Sequence, residues 1–217
     1  MFIGHFGVGF GAKKIATRPS LGTLLMASQF VDLLWPIFLL LNLEQVQIDP
    51  GNTAFTPLNF INYPLSHSLL GVLVWAFLFG IVYYFYRKDK KNAIILGALV
   101  ISHWILDLLT HRPDLPIIPG TGVKVGLGLW NSVALTIIVE SLIYILGIYL
   151  YFKATKAKNK TGSYSLWGLV IFLAIVYISN IFGPPPPGAE PIAYVGLSQW
   201  LIIFWAYWID RNRRIEK

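Results

Sequence analysis

Six windows of about 20 mostly apolar residues set the outer limits on what this chain can become. They lie near 21–41, 66–86, 92–110, 129–152, 163–183 and 192–210. Each is long enough to cross a bilayer as a helix, because a helix rises about 1.5 Å per residue across a hydrocarbon core of about 30 Å. Only 12% of the residues are charged, against about 25% in an ordinary soluble domain. The expectation is an all-α, polytopic integral membrane protein of about six transmembrane helices. Most connections are short, so residues 1–217 read as one helical membrane domain, with 163–210 supplying the last two spans.

The basic residues predict the orientation. Fifteen of the seventeen Lys and Arg follow or precede the spans on one side: Lys13, Lys14 and Arg18, then the clusters at 87–91, 153–160 and 211–217. Arg112 and Lys124 stand alone on the other side. By the positive-inside rule both termini are cytoplasmic. This regular alternation accounts for the net charge of +7 as topology, and no nucleic-acid partner is expected. The bilayer itself is the expected partner, with aromatic clusters such as Tyr83–Tyr86 and Trp205–Trp208 at its inner interface. The first residues, MFIGHFGVGFGAKK, place charge after the apolar stretch, the reverse of a cleavable signal.

Against this background Asp32, His103, Asp107 and Glu140 are out of place. Each carboxylate at the centre of a span costs about 2.5–3.5 kcal/mol on insertion scales, so three cost roughly 8–10 kcal/mol if left in lipid. That rivals the whole stability of a small domain, about 5–15 kcal/mol. The residues must be paired, protonated, wetted or bound to metal. Asp32, His103 and Glu140 each lie about 16 Å into their spans, near mid-membrane. His67 lies at the outer end of the second span. If residues 1–12 re-enter the membrane as a half-helix anchored by Lys13 and Lys14, His5 comes close to Asp32. Residues 1–152 would then surround one site, in a water-accessible funnel opening towards the outer face.

The stretch SHWILDLLTHRPD, 102–114, carries the chemistry most densely. His103 and Asp107 are four apart and share a helix face, so both can bind one ion. His111 is about 12 Å further along, placed for a second ion or for the mouth. The chain has no cysteine, which leaves imidazole and carboxylate, a donor set for zinc, manganese or iron. Zinc with three protein ligands keeps a position for water, and a bound water becomes hydroxide near neutral pH. Glu140 or Asp32 is the candidate general base. Arg112 is placed to meet an anionic phosphate or to anchor at the interface. Asp114 reads as a loop residue.

SHWILDLLTH (102–111), PLSHSLLG (64–71), SQFVDLLWP (28–36) and His5 followed by small residues stand in an order that resembles a bacterial family of membrane-bound metal-dependent hydrolases. That family is distantly similar to zinc-dependent phospholipase C. The resemblance covers residues 1–115. It implies one or two divalent ions held by His5, Asp32, His67, His103 and Asp107, with His111, in a bacterial inner membrane protein. The function expected is hydrolysis of a phosphoester, in a lipid or an envelope phosphate, through a metal-bound hydroxide. Two alternatives use the same residues: an ion or proton transporter, and a metal-binding membrane protein without turnover. Transport ranks below hydrolysis because the last two spans hold almost no ionisable residue before Asp210, and PPPPG (184–188) has no counterpart in the first half.

Overall fold

The computed structural model describes residues 1–216. A short helix α1, Ile3–Ala12, is followed by α2, Leu21–Ser28, and α3, Phe30–Leu40. The strands β1, Gln45–Ile48, and β2, Leu58–Asn62, form an antiparallel ribbon before the hairpin of α4, Leu69–Arg87, and α5, Lys90–Thr110. A second ribbon pairs β3, Leu115–Pro116, with β4, Lys124–Val125. Helices α6, Val133–Ala154, and α7, Lys160–Phe182, come next, then α8, Ala189–Leu197, and α9, Gln199–Arg211. The strands β5, Thr155–Ala157, and β6, Arg213–Ile215, join the end of α6 to the C-terminus.

Four single helices (α4 to α7) and the joined pair α8–α9 are each long and apolar enough to span a membrane. The pair α2–α3, bent by 59° at Gln29, passes the same test when the two are taken together, which gives five or six spans. The protein is therefore a helical polytopic membrane protein, as its apolar windows predict. Local chemistry fixes most helix starts. Ser20, Ser68, Asp89, Ser132 and Asn159 each cap a helix, their side-chain oxygens accepting a backbone N–H in the first turn. The α4–α5 hairpin turns at Lys88, whose backbone is left-handed at φ 52°. Its two helices close tightly because Gly80 faces the Ala93 carbonyl and Gly97 the Ala76 carbonyl.

Residues 1–12 do form a helix inside the bundle, but Lys13 is no surface anchor. Its side chain is buried, with Nζ 2.6 Å from the Pro19 carbonyl and 3.2 Å from Asp210 Oδ1 at the end of α9. Lys14 remains exposed. Helix α1 runs beside α6 in the same direction, with Gly4 near Glu140, Gly7 against Ile143 and Tyr144, and Gly11 near Leu150. At ten residues it is too short to cross a bilayer, and it is largely buried against the neighbouring helices.

Segments 42–65 and 111–128, expected as connections, are folded. Phe60 and Trp130 pack tilted against His111, their rings 4.9 Å and 4.3 Å from the imidazole, and Phe55 stacks on Trp130. Tyr63 and Leu115 are fully buried beneath them. This lid covers the end of α5 where a funnel was expected to open.

Candidate metal centre

Helix α5 supplies His103 and Asp107 from one face, as their spacing requires. His103 Nε2 lies 3.2 Å from Asp107 Oδ2. The break at Gln29 turns the start of α3 inward and brings Asp32 Oδ1 to 3.5 Å from the same nitrogen. His67 sits in the turn preceding α4, and its Nε2 is 3.4 Å from Asp32 Oδ1 and 3.8 Å from Asp107 Oδ2. Four side chains from three separate segments thus face one point.

Their hydrogen bonds reveal what that point requires. His103 Nδ1 is 2.9 Å from the Ser28 carbonyl, which only accepts, so Nδ1 carries the proton. Ser28 ends α2, and the helix break leaves its carbonyl available. His67 Nδ1 is 2.7 Å from Ser66 Oγ, and Ser66 Oγ is 2.5 Å from Glu44 Oε2. The Ser66 hydroxyl donates to the Glu44 carboxylate, so its oxygen accepts from His67 Nδ1. Glu44 is itself fixed by the backbone N–H groups of Leu65 and Ser66, each at 2.8 Å. In both imidazoles Nδ1 is thus committed, and Nε2 faces carboxylate oxygens. His103 Nε2 makes no hydrogen bond although it is buried. Imidazole nitrogens and carboxylate oxygens converging at this range need a proton or a metal cation between them.

A divalent cation fits that demand. Two ligands of one ion with bonds of about 2.0–2.2 Å stand about 3.3–3.6 Å apart when tetrahedral, and the four imidazole–carboxylate separations run from 3.2 to 3.8 Å. Asp32, His67 and His103 alone present ligand atoms within 4.8 Å of one another. The second atoms of both imidazoles are held by a carbonyl and by a Ser–Glu pair, the arrangement that orients histidines around metals.

His5 stands beside this cage. Its Nε2 is 3.0 Å from Asp107 Oδ1, and its ring stacks on His103 at 3.6 Å. With His103 and Asp107 it forms a second group of metal-competent atoms. The Met1 amine lies 2.6 Å from the same Asp107 oxygen. Glu140, expected as a base or a ligand, caps α1 instead: its Oε2 accepts from Phe2 N at 2.8 Å and Gly4 N at 3.2 Å. A carboxylate at the positive end of a helix is well placed electrostatically. Its Oε1 is buried and unpaired.

His111 does not join the cage. Its Nδ1 is 2.9 Å from Asp114 Oδ1, which also accepts from the Tyr63 hydroxyl at 2.8 Å. The helix ends at Thr110, and the turn that follows swings the imidazole under the lid. Burial pushes His111 below its ordinary pKa. Burial alone would raise Asp114, but its bonds to His111, Tyr63 and Arg112 outweigh this and hold it below the usual carboxylate range. Burial, with the nearby charge of Asp114, raises the Tyr63 phenol. Arg112 is engaged within the lid, its Nε 3.2 Å from Asp114 Oδ2 and an NH2 group bonded to Asn59. It does not face the cage residues.

Glu44, Ser66 and the Ser28 carbonyl escaped the sequence reading. Ser66 stands next to His67 in PLSHS and offers the one available signal, since a short hydroxyl beside a ligand is a common partner for it. Glu44 lies 22 residues earlier, and only folding brings it there.

Residues 48–183 match the family model described as YdjM inner membrane protein. The matched region includes His67, His103 and Asp107, and it begins after His5 and Asp32. That description names a location and no reaction. No curated protein and no solved structure matches the chain.

Proposed function

The chain belongs to the YdjM inner membrane protein family, and from that premise we propose that it is a membrane-embedded, metal-dependent hydrolase acting on a phosphoester. The observation that carries this reading is the cluster of Asp32, His67, His103 and Asp107, with the Nε2 atoms of two imidazoles turned towards two carboxylates. Zinc suits this donor set, and manganese or iron would also be accepted. When bound, the ion supplies Lewis acidity and lowers the pKa of a coordinated water towards 7.

The residues around it divide the remaining tasks. Asp32 is the least covered member of the cluster, its side chain 24% exposed against 3% or less for the other three. Substrate and water approach past it. Its Oδ1 faces the imidazoles, which leaves Oδ2 to receive a proton from the attacking water. His5 holds Asp107 in place and is available as a further ligand. Glu140 acts through α1 as a positioning residue. Two carboxylates and two neutral imidazoles give the cage a charge that one divalent ion cancels, so an anionic phosphoester is no longer repelled. On this reading the basic end of the bundle faces the cytoplasm and the lid the outer side, as the positive-inside rule expects.

Purified protein in detergent tests this. It should contain about one zinc or manganese ion per chain and cleave a chromogenic phosphodiester, and chelation should remove both properties. His103→Ala should lose the metal, and Asp32→Asn should lose more turnover than metal. Metal retained without cleavage of any phosphoester would leave a metal-binding protein without turnover. Flux of protons or metal in liposomes, abolished by Asp32→Asn, would favour transport.

A further inference from the structure

The bundle carries a second feature, a groove of about 760 Å³ between α2–α3, α4 and α9. Its long wall is apolar and aromatic, with Phe30, Trp75 and Phe79 at its core. Arg18, Arg87 and Arg211 line it as well, from three separate segments. Arg87 and Arg211 close α4 and α9, so they gather at one end of the groove. Trp75 lies twelve residues before Arg87 on α4, about 18 Å along the axis. Half of the hydrocarbon core is about 15 Å, so the wall is one leaflet long.

We propose that this groove binds one anionic phospholipid, its phosphate at Arg87 and Arg211 and one acyl chain along the Phe30–Trp75–Phe79 wall. Charge supports the occupant. Among the described residues neither arginine forms an ion pair, whereas Arg18 is held by Asp89 at 3.0 Å. The one carboxylate in the lining, Asp210, is already engaged by Lys13 at 3.2 Å, so it does not oppose an incoming phosphate. The mouth opens between membrane-spanning helices, with Leu78, Val82 and Tyr86 exposed along α4. A lipid is what meets that surface. A basic cluster beside an apolar span is the arrangement expected to select anionic headgroups. Guanidinium groups suit them through bidentate contacts to phosphate.

The test uses full-length protein in detergent micelles and phospholipids with brominated acyl chains, which quench nearby tryptophan. Trp75→Phe identifies the part of the quenching that arises in the groove. That part should half-saturate at about tenfold lower phosphatidylglycerol than phosphatidylcholine, and Arg87→Gln with Arg211→Gln should bring the two close together. Both arginines are exposed, so the double variant is expected to fold, and helical circular dichroism with the thermal midpoint serves as the check. Equal quenching by the two lipids would mark ordinary surrounding lipid and overturn the proposal. So would a preference that survives the double variant. Inorganic phosphate displacing the brominated lipid at similar concentration would assign the basic end to a small anion instead. None of these outcomes depends on turnover at the metal cage.

Discussion

His103 uses its ring twice: Nδ1 is committed to the Ser28 carbonyl, and Nε2 is left facing Asp32 and Asp107. His67 is fixed in the same sense by Ser66 and Glu44. Removing that support without touching a ligand should therefore be visible. Ser66→Ala is expected to weaken zinc binding about 10–100-fold, measured by competition with a chromogenic chelator, while the helical circular dichroism is unchanged. The pair His111–Asp114 predicts a pH effect outside the spans. Both groups have folded pKa values below their ordinary ones, so the unfolded segment takes up protons first as pH falls. Their contribution is fully present above the unfolded values and declines with acid, first for the imidazole below about 6.5 and then for the carboxylate below about 4. The protection of the amides in residues 111–115, after correction for the intrinsic exchange rate, should fall between pH 7 and pH 5, and this fall should shrink when His111 is replaced by Phe.

At the scale of elements, the half-helix α1 matters most. It reaches the cage because α6 lets it approach backbone to backbone: a Cβ on Gly147 would overlap the Gly7 carbonyl oxygen. Small residues at such crossings are the general device of membrane helix packing. Gly147→Ala should cost about 1–3 kcal/mol through overpacking, read as a lower midpoint of thermal unfolding in detergent. It should also displace His5 from Asp107. Glu140→Gln keeps the shape but weakens the cap on Phe2 and Gly4. Its expected effect is a loss of stability with metal content retained. The break between α2 and α3 has the same importance and no glycine or proline of its own. Gln29 is buried there with both side-chain amide atoms unpaired, so tertiary packing imposes the bend that aims Asp32.

For the whole molecule, the cluster joins α3, the turn before α4, and α5, so an ion bound there would cross-link three segments. With free metal at about 100 times its dissociation constant the folded state gains about 2.7 kcal/mol. Chelation should lower the thermal midpoint, and restoring metal should reverse the change. The sequence by itself determined the spans, because hydrocarbon tolerates only helices with satisfied backbones, and those helices must be long and apolar. It also marked His5, Asp32, His67, His103 and Asp107 as residues needing compensation, since an ionisable group in lipid is costly wherever it points. It left open which of them meet. Their convergence, the turn of His111 towards Asp114, the capping role of Glu140 and the support of His67 by Glu44 were decided by tertiary structure alone. Spacing along a helix fixes neighbours only three or four residues apart, whereas contacts between distant segments depend on packing, glycine crossings and a bend that no local signal encodes.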